Sequence, residues 1–376
     1  MSISLLKSLR FLAAFTICWG PVISGQALAS DYSDWQERMR SIVPRNYVCR
    51  RVSSISPITV DGKLDESAWT QAPWTADFVD IQGPAKTTPP KSRTRAKMLW
   101  DDEYLYIAAE LDEPNVWATL TNHDAVIFRD PDFEVFIDPK SQTEPYYEFE
   151  MNALNTTWDL RLDKPYMDNG KPSDAWEIVG AKSAVQIHGT LNQPGDTDQG
   201  WTIELALPWN AFAENSQPVI PPKEGQQWRM GFSRVEWQVV ITNGAYQKVP
   251  KTPEANWVWS PQGVIDMHRP EMWGIVQFTS RPSNEPVPVI PLPGKAARDL
   301  ALEIYYAQRD FSKANQRWAT NLSELNMTAP KSHANVDLLK LKATTDGYTC
   351  AVGFAEGGRS RVWQIQQDRL LLLDPR

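Results

Sequence analysis

Cysteine and histidine are scarce in this chain of 376 residues, which has three of the former and four of the latter. The histidines lie far apart, and the sequence has no zinc-type Cys/His spacing, HExxH pair, nucleophile elbow, glycine-rich phosphate loop or EF-hand pattern. Those absences remove the main motif-bearing classes of hydrolase and nucleotide enzyme. Long hydrophobic runs are missing too. The apolar run from Phe11 to Ile23 is about a dozen residues, is broken by Gly20 and Pro21, and falls short of the roughly 20 that span a bilayer. With Lys7 and Arg10 before it and Ala27-Leu28-Ala29 after it, the segment 1–29 has the pattern of a signal peptide. The remainder is expected to be exported, periplasmic or extracellular, without membrane insertion after cleavage. Positive charge is in deficit, 38 Lys and Arg against 46 Asp and Glu for a net charge of −8, which argues against nucleic acid or an anionic membrane as partner.

Beyond the leader only Cys49 and Cys350 remain. In an exported chain they either form a disulfide tying the start to the end or stay as free thiols, and the sequence leaves both open. What is plentiful is tryptophan (17) and proline (29). Tryptophan suits surfaces that grip flat amphipathic ligands, though most of any set serves the core.

The stretch Arg95 to Pro139 organises the rest. Alternation puts Ala96, Met98 and Trp100 on one strand face, then Leu105, Ile107, Ala109 and Leu111 on a second, joined across Asp101 to Tyr104. A third strand, Phe133 to Asp138, sets Phe133, Val135 and Ile137 against Glu134, Phe136 and Asp138. The loop before it carries Trp117, His123, Asp124, Phe128, Arg129, Asp130 and Asp132. Further strands are expected at Tyr146 to Met151, Thr156 to Leu162, Ala184 to Leu191, Gly200 to Leu207, Gln227 to Val235 and Gly274 to Phe278. Many short strands with almost no helical period predict an all-β class, an antiparallel β-sandwich with a short N-terminal helix and a small C-terminal α+β tail. The domain bounds expected are a lead-in over 30–56, the sandwich over 57–280, a proline-rich linker over 281–294 and the α+β module over 295–376.

The motifs DGKLDESAW, AKMLWDDEYLYIAAEL and DPDFEVFIDP, in this order, resemble family 9 carbohydrate-binding modules, the sandwiches appended to xylanases. The resemblance covers about Ile58 to Thr279. It implies non-covalent binding of an oligo- or polysaccharide, in support of polysaccharide catabolism, with glycoside hydrolases or envelope proteins as partners. In that family two tryptophans sandwich a terminal sugar while a glutamate and amide or cationic side chains bond its hydroxyls. Glu134 matches the glutamate, and Phe128, six residues ahead of it, takes the place of the first tryptophan. The second platform aligns near Met267, not on a tryptophan, so Trp257, Trp259 or Trp273 is expected to substitute. Arg129, Asn152 and Asn155 near Trp158, and His268 with Arg269, are further polar candidates, each with a structural role as its alternative. Members of the family bind calcium, and Asp61 and Asp65 are hard-oxygen candidates for such an ion, with capping of the adjacent turn and helix as the other role.

Catalysis is disfavoured, because no pair among the 46 acidic residues is marked by sequence as a raised-pKa acid. Two alternatives to sugar binding stand beside it: an envelope interaction or assembly protein that keeps the sandwich without the sugar site, and a glycan-active hydrolase. Exposure of Phe128 and one of the three tryptophans on one rim separates the first alternative from sugar binding. Buried carboxylates facing one another in a cleft favour the second.

Overall fold

A computed structural model describes residues 30–52, 57–86, 88–213, 218–327 and 336–374. The expected leader, 1–29, lies outside them. Strands dominate, and the predicted ones fall within a few residues of their expected bounds. Hydrogen-bonded neighbours run in the order Thr157–Leu162, Tyr146–Asn152, Asp132–Asp138, Gln227–Glu236, Gly274–Thr279, Asn46–Arg51, Thr94–Trp100, Tyr104–Asp112, Gly200–Pro208 and Lys182–His188. This one ladder curls on itself, so that its two halves face each other as a sandwich.

The curl is made at Asn46–Arg51. That strand runs parallel to Gly274–Thr279 from Asn46↔Ile275 to Arg50↔Thr279, and parallel to Thr94–Trp100 only at Arg50↔Leu99 and Arg51↔Trp100. Most other pairings are antiparallel, among them Phe133↔Met151 and Ile203↔Ala109. The sandwich therefore begins at Asn46, inside the segment expected to be a lead-in.

Period-2 alternation explains the core. Phe133, Val135 and Ile137 meet Met98, Ile107, Leu205 and Trp228 in one buried cluster. Trp209 packs edge-on against Trp100, Trp228 and Phe278 at ring centroid distances of 6.4, 5.5 and 5.8 Å. Each such side chain contributes about 1.5–3 kcal/mol by leaving water, so much of the tryptophan excess is core. The carboxylates of the same strands necessarily point out of the other face.

The C-terminal unit is a helix, Lys295–Asn315, against a four-stranded antiparallel meander of Val336–Ala343, Tyr348–Glu356, Arg359–Gln366 and Leu371–Leu373. The proline-rich stretch does not hang free between the two units. Arg50 donates to the carbonyls of Arg281, Pro282 and Glu285, while Gln277 bonds Pro288 O at 3.0 Å and Ile290 N at 2.7 Å. Trp35, Met39 and Ile42 from the N-terminal turns share a second core with Leu300, Ile304 and Val352, and Trp35 stacks on Tyr306 at 5.2 Å.

No disulfide joins Cys49 to Cys350; both are free and buried, one in each core. Burial pushes both thiols up, that of Cys350 to about 12, so neither presents thiolate at neutral pH. Both are expected to resist a thiol-alkylating reagent in the native protein and to be labelled on unfolding. Peptide mass spectrometry before and after denaturant checks this.

Candidate functional site

Residues 119 to 130 are clipped onto the end of the third predicted strand. Asp130 accepts hydrogen bonds from Thr119 N, Leu120 N and the Asn152 side chain, at 2.7, 2.8 and 3.1 Å. Asn152, the last residue of the strand Tyr146–Asn152, also accepts from Leu154 N and Thr156 N, both at 3.0 Å, and lies outside the lining of the pocket described below. Asn155, in the left-handed region at φ 59°, turns the same corner and donates to Ser183 O. The clip leaves Phe128 in a single 3-10 turn, 38% exposed, with its backbone N–H donating to Glu150 at 3.0 Å. Arg129 beside it is exposed and lies outside the pocket lining.

Phe128 rims a pocket of about 290 Å³ on the outer face of Asp132–Asp138 and Tyr146–Asn152. Trp158 and Tyr166 add aromatic surface, the latter 42% exposed. Glu134, Glu148, Glu150, Glu254 and Asp266 supply carboxylates, and the lining has no lysine or arginine. Glu134 stands directly across from Glu150, and Phe136 from Glu148. Two unit charges 4–5 Å apart repel by about 3–4 kcal/mol at an effective dielectric of 20. Burial, with the neighbouring Glu254 carboxylate, accordingly pushes Glu134 up to about 7, and burial with Glu134 raises Glu148 and Glu150 as well. His268, also in the lining, is pushed down to about 4 by burial and by Arg369 and Arg269, so its imidazole is neutral at pH 7 and meets the Tyr146 hydroxyl at 2.8 Å.

The tryptophans expected as a second platform are buried and absent from this pocket's lining, although Trp257 lines the wider pocket that adjoins it. Trp257 is buried under Arg234, 5.2 Å from its guanidinium. Trp259 packs on Phe232 at 5.6 Å and over Gly274, where any Cβ would lie 2.3 Å from its ring. Trp273 is fully buried among Phe136 and Tyr146, and donates to Met267 O at 2.9 Å. Their ring size and apolar area are taken up by the two faces of the half-sheet. Met267 lines the pocket, where the family resemblance aligned it, and the exposed second aromatic is Tyr166. A wider pocket of about 670 Å³ adjoins this one, sharing Ile81, Glu254, Asn256 and Ile265, and adds Trp237. Glu148 and Glu150 were visible as the polar half of an alternating strand; nothing in the irregular Lys164 to Asp174 stretch marked Tyr166.

One wall hangs on the C-terminal unit. Asp168, two residues after Tyr166, is ion-paired to Arg309 at 2.9 Å and Arg369 at 3.0 Å, and accepts from the Tyr305 hydroxyl. Arg369 also pairs with the fully buried Glu271 at 2.8 Å and reaches His268 O at 3.5 Å. Burial alone would raise Glu271, but Arg369, Arg269 and the Tyr306 hydroxyl hold it below the usual carboxylate range.

Among the described residues two side-chain clusters have the donors for a metal ion. In one, carboxylate oxygens of Asp132, Glu134 and Glu150 lie within 4.8 Å of one another. In the other, His123 Nε2 lies 3.1 Å from Glu177 and 3.8 Å from Asp159, with Nδ1 against Thr157 O at 3.0 Å. Burial pulls this imidazole's pKa down, but Glu177 and Asp124 outweigh it and raise it above its ordinary value. Neither cluster contains Asp61 or Asp65. Asp61 accepts from Lys63 N at 2.9 Å and pairs with Lys63 Nζ at 3.0 Å, and the helix Ser67–Gln71 has Glu66, not Asp65, at its N-cap.

The fold is thus a β-sandwich with an open pocket of aromatic and carboxylate groups on one face. The family model described as "Carbohydrate family 9 binding domain-like" matches residues 60–250, and the chain belongs to that family. It is 25% identical over 153 residues to Exoglucanase XynX of Acetivibrio thermocellus, 41% of this chain and 12% of that protein. It is 29% identical over 151 residues to Endo-1,4-beta-xylanase C of Paenibacillus barcinonensis, 40% of this chain and 11% of that one. The chain thus matches about an eighth of the length of these relatives. Among solved structures, a family 9 module from Caldicellulosiruptor kristjanssonii in complex with cellotriose aligns at 16% identity and TM-score 0.41, over 66% of this chain and all of that one. A putative carbohydrate-binding protein from Bacteroides uniformis aligns at 16% and 0.46, over 63% of this chain and all of its own.

Replacing Arg369 with methionine is expected to cost about 3–5 kcal/mol, since two buried carboxylates lose their cation; chemical denaturation measures it. Because the pKa of folded Glu271 is depressed, its contribution is complete above its unfolded pKa near 4.5 and is lost as pH falls through the folded value. The stability gap between wild type and Glu271→Gln is therefore expected to be widest at neutral pH and to close as the pH falls from about 4.5, as followed by thermal unfolding.

Proposed function

We propose that this is an exported carbohydrate-binding protein that takes oligo- or polysaccharide non-covalently at the Glu134 pocket and works beside glycoside hydrolases. The observation that carries this is the placement of Phe128 and Glu134 in one open pocket of a chain that belongs to the family 9 binding-domain-like group. Exposed rings of Phe128 and Tyr166 suit the C–H faces of a pyranose, and carboxylates on the floor suit its hydroxyls. The relatives named as xylanases and an exoglucanase support a plant-type glycan as ligand. The adjoining wider pocket offers room for a chain to continue past the terminal unit.

The buried carboxylates also meet the criterion set for a hydrolase, but their arrangement favours binding. Glycosidases hold two carboxyl groups about 5–5.5 Å or 6.5–9.5 Å apart on either side of the scissile bond. Here Asp132, Glu134 and Glu150 gather within 4.8 Å on adjacent strands of a single floor.

Calorimetric titration with xylo-, cello- and galacto-oligosaccharides tests the proposal, with an expected Kd of micromolar or weaker, about −8 kcal/mol at best. Phe128→Ala and Tyr166→Ala are each expected to weaken binding roughly fivefold, about 1 kcal/mol for one stacked ring. A folded protein that binds none of these sugars overturns the proposal in favour of the envelope interaction protein.

A further inference from the structure

The pocket holds less positive charge than its carboxylates call for. Its lining carries Glu134, Glu148, Glu150, Glu254 and Asp266, and no lysine or arginine. Asp266 is paired with Arg269 at 2.8 Å, and among the described residues none of the other four has an ion pair. Glu134, Glu148 and Glu150 are 3%, 5% and 2% exposed. Glu134 Oε2 and Glu148 Oε2 are buried with no hydrogen-bond donor among the described residues, and both side chains line the pocket. Burial and the Glu254 carboxylate push Glu134 up to about 7, and a cation among these groups offsets the second of the two. The lining itself supplies none: His268 is neutral at pH 7, and Lys248 lies outside it, over the Trp237 ring at 3.4 Å from the centroid. Beside the carboxylates stand the rings of Phe128, Phe136, Trp158 and Tyr166, and aromatic faces attract a desolvated cation as carboxylates do. The hydroxyls of a neutral sugar satisfy acceptors but leave like charges facing one another. An ammonium group brings three donors and a positive charge to the same place.

We propose that this pocket prefers an amino sugar with a free ammonium group over a neutral sugar, the ammonium held by Glu134, Glu148 and Glu150 and flanked by the Phe128 and Tyr166 rings. The inference rests on the carbohydrate-binding proposal and adds the charge of the unit recognised. An ammonium at one ring carbon leaves the C–H faces of the pyranose free to stack on those rings. A uronic acid is disfavoured by the same carboxylates, since it brings a further like charge.

The test is calorimetric titration of the full chain in chelator at about pH 7, where an amine of the α-amino class is mostly protonated. The probes are the trimer of β-1,4-linked glucosamine, cellotriose, which carries a hydroxyl in place of each amine, and the N-acetylated trimer, in which each amine is capped and neutral. The glucosamine trimer is expected to bind the wild type at least about tenfold more tightly than cellotriose, and the N-acetylated trimer no more tightly than cellotriose. In the double variant Glu134→Gln, Glu148→Gln that preference is expected to fall to about threefold or less. Glu37→Gln, the same kind of change at an exposed site outside the pocket, is expected to keep the wild-type preference. The pocket substitutions relieve repulsion between buried carboxylates, so the double variant is expected to melt no lower than the wild type, which shows that it folds. The comparison of the three sugars on the wild type stands without it. An N-acetylated trimer that binds as tightly as the free amine overturns the inference, as does a preference that survives the double variant or disappears in Glu37→Gln. Cellotriose binding with no preference for the amine sinks this inference alone. A folded protein that binds none of the three sinks the carbohydrate-binding proposal, and the inference with it.

Discussion

Arg369 sits, fully buried, between two carboxylates that belong to different loops of the sandwich, Glu271 and Asp168. Taking three such charges out of water is costly unless they neutralise one another. That requirement fixes the docking of the C-terminal unit: Tyr305, Tyr306, Arg309 and Arg369 arrive as one matched set. The pocket depends on it in turn, because Asp168 closes the turn that begins at Tyr166, and Arg369 reaches the carbonyl of His268. The tail braces the wall that shapes the site without lining it.

On the opposite side the pocket follows from strand geometry. Residues two apart share a face, so a strand that buries Phe133, Val135 and Ile137 must present Asp132, Glu134 and Phe136 outward. Pairing with Tyr146–Asn152 brings Glu150 and Glu148 alongside. Loops and turns then cover this face, and the carboxylates end up buried in a pocket whose lining, among the described residues, has no lysine or arginine. The site is thus a consequence of two adjacent strands with the same polar face, closed over by Phe128 and Tyr166.

Much of this was legible from residue order. The strands, the inward rows of each and the pairing of Phe128 with Glu134 follow from alternation and spacing, because both are local. Asp61 and Asp65, taken as candidates for a cation, belong to a turn and its flank, which short-range geometry also explains. Trp259 and Trp273 reach neither pocket because alternation tells which side a ring points to and not what covers that side. Trp273 points outward from the half-sheet that carries the pocket and is still buried, under Tyr146 and the 267–272 turn.

The sequence by itself determined the sandwich class, the inner and outer rows of each strand and the family, since these depend on side-chain period and motif order. Only the tertiary structure decided that Asn46–Arg51 closes the sheet, that Cys49 and Cys350 sit in separate cores, and that Tyr166, with Trp158, lines Phe128's pocket where Trp257, Trp259 and Trp273 do not. It also decided that Asp132, Glu134 and Glu150 converge within 4.8 Å. Each of those facts is a distance between residues far apart in the chain, set by strand register and by the docking of one buried ion network, and no local pattern encodes it.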